Sequence, residues 1–111
     1  MIYSQKDIFD YLSANPLGTR VAVGDVSNVN GSDYIFLSFT NEGLISYDNG
    51  ATYQTYIQIT VATRDYEDRR KLVDYVKDYL TVTITYDKAI DFEYFLARCT
   101  CGVLMHEEQE S

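Results

Sequence analysis

The sequence predicts an α+β fold, in which a single mixed, mainly antiparallel sheet of about five strands has two helices packed on it in the order α-β-β-β-α-β-β. Residues 53–61 alternate between the two sides of a strand, and residues 65–80 follow with an amphipathic helical pattern. A chain of 111 residues is long enough for one hydrophobic core but not for two. We therefore predict a single domain over residues 1–105 and an acidic tail, HEEQES, over residues 106–111.

The stretch from Thr52 to Leu80 contains the central strand and the second helix of this prediction. Successive side chains of a strand point to opposite faces, and the odd-numbered residues from Tyr53 to Val61 form its apolar side. Asp65 is a suitable N-cap for a helix that begins after it. Helical spacing then places one set of apolar residues on a single arc, which we expect to lie on the sheet. This arc consists of Leu72, Val73, Tyr75, Val76, Tyr79 and Leu80.

The other elements follow from shorter patterns. Ser4 and Asp7 resemble a capping arrangement for a first helix, which should end near Ala14 because a residue before proline, here Asn15, disfavours the helical conformation. Alternation or β-branched content predicts the remaining strands, at residues 20–25, 33–40, 82–86 and 92–105.

Residues 41–51, NEGLISYDNGA, predict a hairpin connection or an extended arm, because they contain two glycines and an Asp-Asn-Gly turn. Leu44, Ile45 and Tyr47 are unusually apolar for such a segment. Exposed apolar side chains are a liability for a monomer but suit a subunit contact. We therefore select these three residues as candidate contacts with another subunit.

Composition narrows the class of function. The net charge of −8 disfavours wrapping of nucleic acid, which relies on Lys and Arg neutralising phosphates. No apolar run approaches the ~20 residues that a membrane span needs, and no signal peptide is evident, so we expect synthesis and use in a cytoplasm. The chain has 11 tyrosines, which suit half-buried sheet faces and protein interfaces alike.

No residue pattern points to catalysis, a cofactor or a metal. His106 is the only histidine, and Cys99, Cys101 and His106 lack both a fourth ligand and a known zinc spacing. Both cysteines should face the same side of a strand as free thiols and small hydrophobic residues. We expect a protein that is not an enzyme.

A basic run, Arg69-Arg70-Lys71, lies among acidic neighbours on the face of the second helix that we predict to be solvated. Two readings stay open for it. It forms either a set of surface salt bridges or a contact with a partner. We include these three residues among the candidate subunit contacts.

The chain as a whole resembles the tail-completion, or tail-terminator, proteins of long-tailed bacteriophages. The resemblance is carried by an opening helix, KDIFDYLSAN, by a strand, YQTYIQITVATRD, by the helix that follows it directly, YEDRRKLVDYVKDYL, and by a terminal hairpin. It covers nearly the whole chain in element order and length. The HEEQES tail has no counterpart in the family pattern.

This resemblance implies a structural virion protein at the head–tail interface, assembled in the host cytoplasm. Such subunits form a homo-oligomeric ring, usually hexameric, that caps the tail tube protein and joins it to the head connector or stopper protein. DNA would pass through the channel without specific binding. Two alternatives remain, which are a head-completion or adaptor protein of the connector stack and a small cytoplasmic binding module with a Tyr-rich sheet face.

Replacing Leu44 and Tyr47 together by Ser should weaken self-assembly and leave the fold intact, because both residues are expected to lie in a contact rather than in the core. Circular dichroism should be unchanged while sedimentation shows smaller species. Loss of the circular dichroism signal would instead place these residues in the core.

Overall fold

The predicted α+β class, with two helices on a mixed sheet, is confirmed by a computed structural model that describes residues 2–24, 33–46, 51–85 and 95–106. Residues 2, 41, 42 and 44–46 are described by their backbone alone. The elements within these ranges are β1 (Ile2–Tyr3), α1 (Gln5–Ser13), β2 (Arg20–Val23), β3 (Tyr34–Ser46), β4 (Thr52–Thr63), α2 (Tyr66–Lys77), β5 (Thr83–Thr85) and β6 (Phe95–His106). The tail residues 107–111 lie outside the described residues.

β4 is the central strand of the sheet. It pairs antiparallel with β3 on one side and with β6 on the other, in the strand order β1-β6-β4-β3-β2. At one edge β2 runs parallel to the first residues of β3. At the other edge β1, which is parallel to β6, and β5, which is antiparallel to it, share the outer side of β6. The sheet is therefore mixed, with its long inner strands antiparallel.

Both helices cover the same face of the sheet and bury the odd-numbered side of β4, as predicted. Ile57, Ile59 and Val61 have no exposed surface. They share one core with side chains from both helices and from β3 and β6. The other fully buried or nearly buried members include Ile8, Leu12, Ile35, Leu37, Leu72, Val76, Ala97, Cys99 and Cys101. Each fully buried aliphatic side chain of this kind contributes about 1.5–3 kcal/mol of transfer free energy.

The opposite face holds a second, smaller cluster. Phe36, Ala62 and Leu96 are buried there, and Tyr34 and Ala22 pack against them. β3 is therefore buried on both sides along its first residues, with Ile35 and Leu37 on one face and Phe36 on the other.

Both predicted helix starts are confirmed. The Ser4 hydroxyl accepts from the backbone N–H of Asp7, and the Asp7 carboxylate accepts in return from the N–H of Ser4, which completes a capping box. The Asp65 carboxylate accepts from the N–H groups of Glu67 and Asp68. The acidic residues at the start of α2 therefore serve as a cap and complement the helix dipole.

Reciprocal hydrogen bonds between two tyrosines join the C-terminal ends of the helices. The Tyr11 hydroxyl donates to the Tyr75 carbonyl at 2.7 Å, and the Tyr75 hydroxyl donates to the Tyr11 carbonyl at 2.6 Å. Carbonyls in the last turn of a helix lack regular intrahelical partners, so each phenol caps the other helix. The Tyr11 ring also stacks between those of Tyr75 and Tyr79, with centroids 4.3 and 4.2 Å away. Tyr3 contacts Tyr79 edge to face and attaches β1 to the same cluster.

Two strand ends differ from the prediction. β3 does not stop at Thr40 but continues through residues that were predicted as a connection or arm. β6 includes His106, one residue beyond the predicted end of the domain. His106 pairs with Thr52 as the last residue of the β4–β6 ladder, and its Nδ1 lies 3.3 Å from the Thr52 hydroxyl. It therefore belongs to the domain and not to the tail.

Tyr11→Phe should lower the free energy of unfolding by about 1 kcal/mol, because it removes one hydroxyl donor and keeps the stacked ring. Tyr75→Phe should do the same. Urea unfolding measures both, with Tyr56→Phe as the matched control, since Tyr56 is 49% exposed. Equal stabilities of the three variants would show that the reciprocal caps contribute nothing.

Candidate interaction surface

β3 and β4 form a long hairpin arm that includes two of the predicted contact residues. The backbone of Leu44 pairs with Tyr53, and Ile45 lies in the irregularity between Leu44 and Ser46. A first irregularity falls between Asn41 and Gly43. Of the two predicted forms, a hairpin connection or an extended arm, the extended arm describes residues 41–46. Bulges shift the side-chain alternation, which hides such a strand from a period-two search. Tyr47 lies outside the described residues.

The outer edge of β3 is only partly covered. β2 pairs with Tyr34–Leu37, and the Gly24 N–H extends this pairing by donating to the Leu37 carbonyl at 2.8 Å. Within the described ranges, no strand pairs with this edge from Ser38 to Ser46. Because backbone groups alternate in direction along a strand, Phe39 and Asn41 present their N–H and C=O on the same open side as Leu37. An open edge of this kind can accept another strand.

An apolar groove borders this open edge. It is a hollow of about 230 Å³ between α1, β2 and β3. Its lining residues are Gln5, Lys6, Phe9, Val23, Leu37 and Phe39. Phe9 is 37% exposed and Val23 is 69% exposed, so the apolar floor is accessible. The Lys6–Asp10 ion pair, at 2.6 Å, lies on the exposed side of α1 beside it.

Sequence reasoning missed this groove because its residues come from three elements that only the fold brings together. Val21 and Val23 are two residues apart in β2 and so share one face of the strand. Only Val21 packs against the core, while Val23 ends β2 in an exposed position.

Arg69 does not lie on the solvated face of α2, and that part of the prediction is wrong. Its side chain is buried, its Nη1 donates to the Leu96 carbonyl at 3.4 Å, and its guanidinium carbon lies 4.6 Å from the centre of the Tyr66 ring. The position is three residues before Leu72 and four before Val73, so it belongs to the sheet-facing side. The long side chain packs its stem on the domain, and Arg69 is therefore an internal contact.

Arg70 and Lys71 do lie exposed on α2, as predicted. They remain candidate contacts. The basic run therefore divides into one buried and two exposed cations.

The two cysteines lie in the core. Both are free thiols, buried on the helix-facing side of β6. Burial raises the pKa of the Cys99 thiol to about 11, and it also raises the pKa of Cys101. A thiol that keeps its proton at neutral pH is a poor nucleophile and a poor metal ligand. In the described ranges, no group of three or more His, Cys, Asp or Glu side chains could hold a metal ion.

No helix in the described part of the chain is long and apolar enough to span a membrane.

Comparison with known proteins does not assign the chain to a family. The sequence matches no protein-family model, and no curated protein is significantly similar to it. The features of this chain that suit a function are the arm, the open edge of β3 and the groove beside that edge.

Stability should fall as the pH rises from about 9 to about 11. The folded state raises the pKa of Cys99 from its ordinary value of 9.0 to about 11, so in this window the unfolded chain loses a proton that the folded chain keeps. The Cys99 thiol therefore leaves the free energy of unfolding unchanged below about pH 9 and lowers it progressively between about pH 9 and about pH 11. Burial also raises the pKa of Tyr11 and Tyr79, which act in the same direction.

Urea unfolding at several pH values tests this expectation, with Cys99→Ala as the comparison. The variant should start less stable because of the cavity it leaves, and its stability should fall less steeply above pH 9. Parallel curves for both proteins would contradict a role for this thiol.

Proposed function

We propose that this chain is a structural subunit that assembles with copies of itself, and that the open edge of β3 forms the joint. The single observation that carries the proposal is the edge from Ser38 to Ser46, which has no strand partner among the described residues and borders an accessible apolar groove. Backbone pairing would supply affinity at such a joint, and the groove would supply apolar contact.

The edge has only part of the usual protection of a monomer. Natural edge strands avoid association by being short, by carrying Pro or charges such as Lys, by bulges that twist the edge away, or by being covered. Between Ser38 and Ser46 the sequence SFTNEGLIS contains no Lys and no Pro, and Glu42 is its one charged residue. The bulges twist the strand but leave its regular part, from Ser38 to Asn41, suited to pairing.

Within this class, the proposed role is that of a tail terminator. The subunits would form a ring, usually hexameric in the family that the chain resembles, which caps the tail tube and joins it to the head connector of a long-tailed bacteriophage. The net charge of −8 supports this role, because an acidic channel repels passing DNA rather than binding it. An adaptor of the same connector stack would share all these features, and its position in the virion would separate the two roles.

The role is structural and not catalytic. The thiols are buried and protonated, and His106 pairs with a threonine hydroxyl at the end of the β4–β6 ladder. The alternative of a binding module with a Tyr-rich face has less support. Of the eight tyrosines in the described ranges, four (Tyr3, Tyr11, Tyr75 and Tyr79) pack between the helices and β1, while Tyr56 is exposed on the sheet face opposite the helices.

Asn41→Pro should weaken self-association and preserve the monomer fold. Proline removes an N–H that points away from β4, and edge strands and bulges tolerate it. Asn41→Ala is the matched control, since it changes the side chain and keeps the N–H. Sedimentation velocity should show rings for the wild type and for Asn41→Ala but smaller species for Asn41→Pro.

Circular dichroism and urea unfolding establish that all three proteins fold. A wild type that remains monomeric at every concentration and salt tested, and also in virions, would overturn the proposal. Rings formed equally well by Asn41→Pro would move the joint away from this edge.

A further inference from the structure

A positively charged hollow lies at the end of the sheet that is opposite the tip of the arm. It measures about 320 Å³ and is lined by Leu17, Gly18, Thr19, Arg20, Asp33 and Arg64. Arg64 is held by Asp33, whose Oδ1 accepts from the Arg64 backbone N–H at 3.0 Å and lies 3.4 Å from its Nε. Arg20 is exposed, and no side chain of the described residues forms an ion pair with it. Two cations and one carboxylate leave an excess of positive charge on a chain whose net charge is −8.

The wall of this hollow is held in place by a buried amide. The Asn15 side chain is 6% exposed, and its Nδ2 donates to the carbonyls of Leu12 and Thr19 at 2.9 and 2.8 Å. Its Oδ1 accepts from the N–H groups of Leu17 and Thr19. Gly18, at φ 65°, allows the tight turn between them. The hollow is therefore preformed, which lowers the entropic cost of binding a ligand.

We propose that this hollow binds the acidic segment of a neighbouring copy, namely Glu107, Glu108 and Glu110. The inference rests on the proposed function, since it names the contact through which assembled subunits recognise each other. Arg guanidinium groups bind carboxylates in a planar, two-pronged geometry, and an exposed Arg20 beside a fixed Arg64 suits such a ligand. The segment directly follows β6 in the sequence.

The segment of the same copy cannot reach this hollow. β6 begins at Phe95 opposite Thr63, next to Arg64, and ends at His106 opposite Thr52. Twelve residues of antiparallel strand separate these ends by ~37 Å at ~3.4 Å per residue. Glu110 is four residues beyond His106, a reach of at most ~14 Å. The glutamates that enter the hollow must therefore belong to another copy.

This geometry makes the contact head to tail. The hollow borders the edge strand β2, whereas the acidic segment leaves β6 at the opposite end of the sheet and on the other side of β4. A contact between two different surfaces of identical subunits closes a ring if the rotation allows it, and otherwise forms a filament. The contact therefore supplies the directionality that a ring of identical subunits needs.

A charge-exchange experiment tests the proposal in the full-length chain. One variant carries Arg20→Glu with Arg64→Glu, and the other carries Glu107→Lys, Glu108→Lys and Glu110→Lys. Each alone should self-associate about tenfold more weakly, as charge pairs at an interface turn repulsive. An equimolar mixture should restore assembly as alternating subunits, measured by sedimentation velocity and native mass spectrometry. Lys77→Glu reverses a positive charge on the exposed face of α2, at a residue outside the candidate contacts, and serves as the control.

A peptide of sequence HEEQES provides a second measurement that does not require assembly. Added to ¹⁵N-labelled protein in which the three glutamates are replaced by Gln, it should shift the amide signals of Gly18 and Thr19, whereas HQQQQS should not. Rings formed by both charge variants as readily as by the wild type would overturn this contact and leave the proposed function standing. A monomeric wild type whose hollow binds the peptide would overturn the proposed function alone. If the wild type is monomeric and the peptide shifts no amide signals, both the contact and the proposed function are overturned.

Discussion

The buried face of β4 is the constraint on which the rest of the structure depends. Ile57, Ile59 and Val61 have no exposed surface, because both helices cover them and because β3 and β6 close the strand from either side. A one-residue slip of this strand would turn those side chains to the other face and bring the glutamines and Tyr56 under the helices. The register of β4 and the placement of both helices on one face of the sheet therefore depend on one apolar alternation.

The open edge is a consequence of how unequal the strands are. β3, β4 and β6 have 13, 12 and 12 residues, whereas β2 has 4, β5 has 3 and β1 has 2. The inner strands pair their backbone N–H and C=O groups with each other along their length. The short outer strands pair with only part of the next strand inward. The excess length of β3 becomes an arm with backbone groups directed away from β4. A structural subunit uses such groups, whereas a monomer would have to hide them.

The distribution of charge fits assembly better than it fits chemistry. Copies that each carry a net charge of −8 repel one another at a distance, so specific contact needs a local reversal of sign. In the proposed contact the Arg20–Arg64 hollow supplies this reversal, and the buried Asn15 holds its wall in place. Among the described residues, the Cys99 thiol is buried in the core and the His106 ring lies at the end of the β4–β6 ladder.

The sequence by itself determined both helices and the strands β4 and β6, whereas β1 was not predicted. Period-two alternation located β4 and β6, helical spacing located both helices, and the side chains of Ser4 and Asp65 marked their starts, because each of these signals is local in the chain. The tertiary structure alone decided the rest. Bulges concealed the second half of β3, and Arg69 is buried because Tyr66 and Leu96 offer partners that no spacing reveals. The reciprocal caps of Tyr11 and Tyr75 join residues 64 positions apart. Grooves, hollows and open edges depend on which elements meet, and that is fixed by packing rather than by any local pattern.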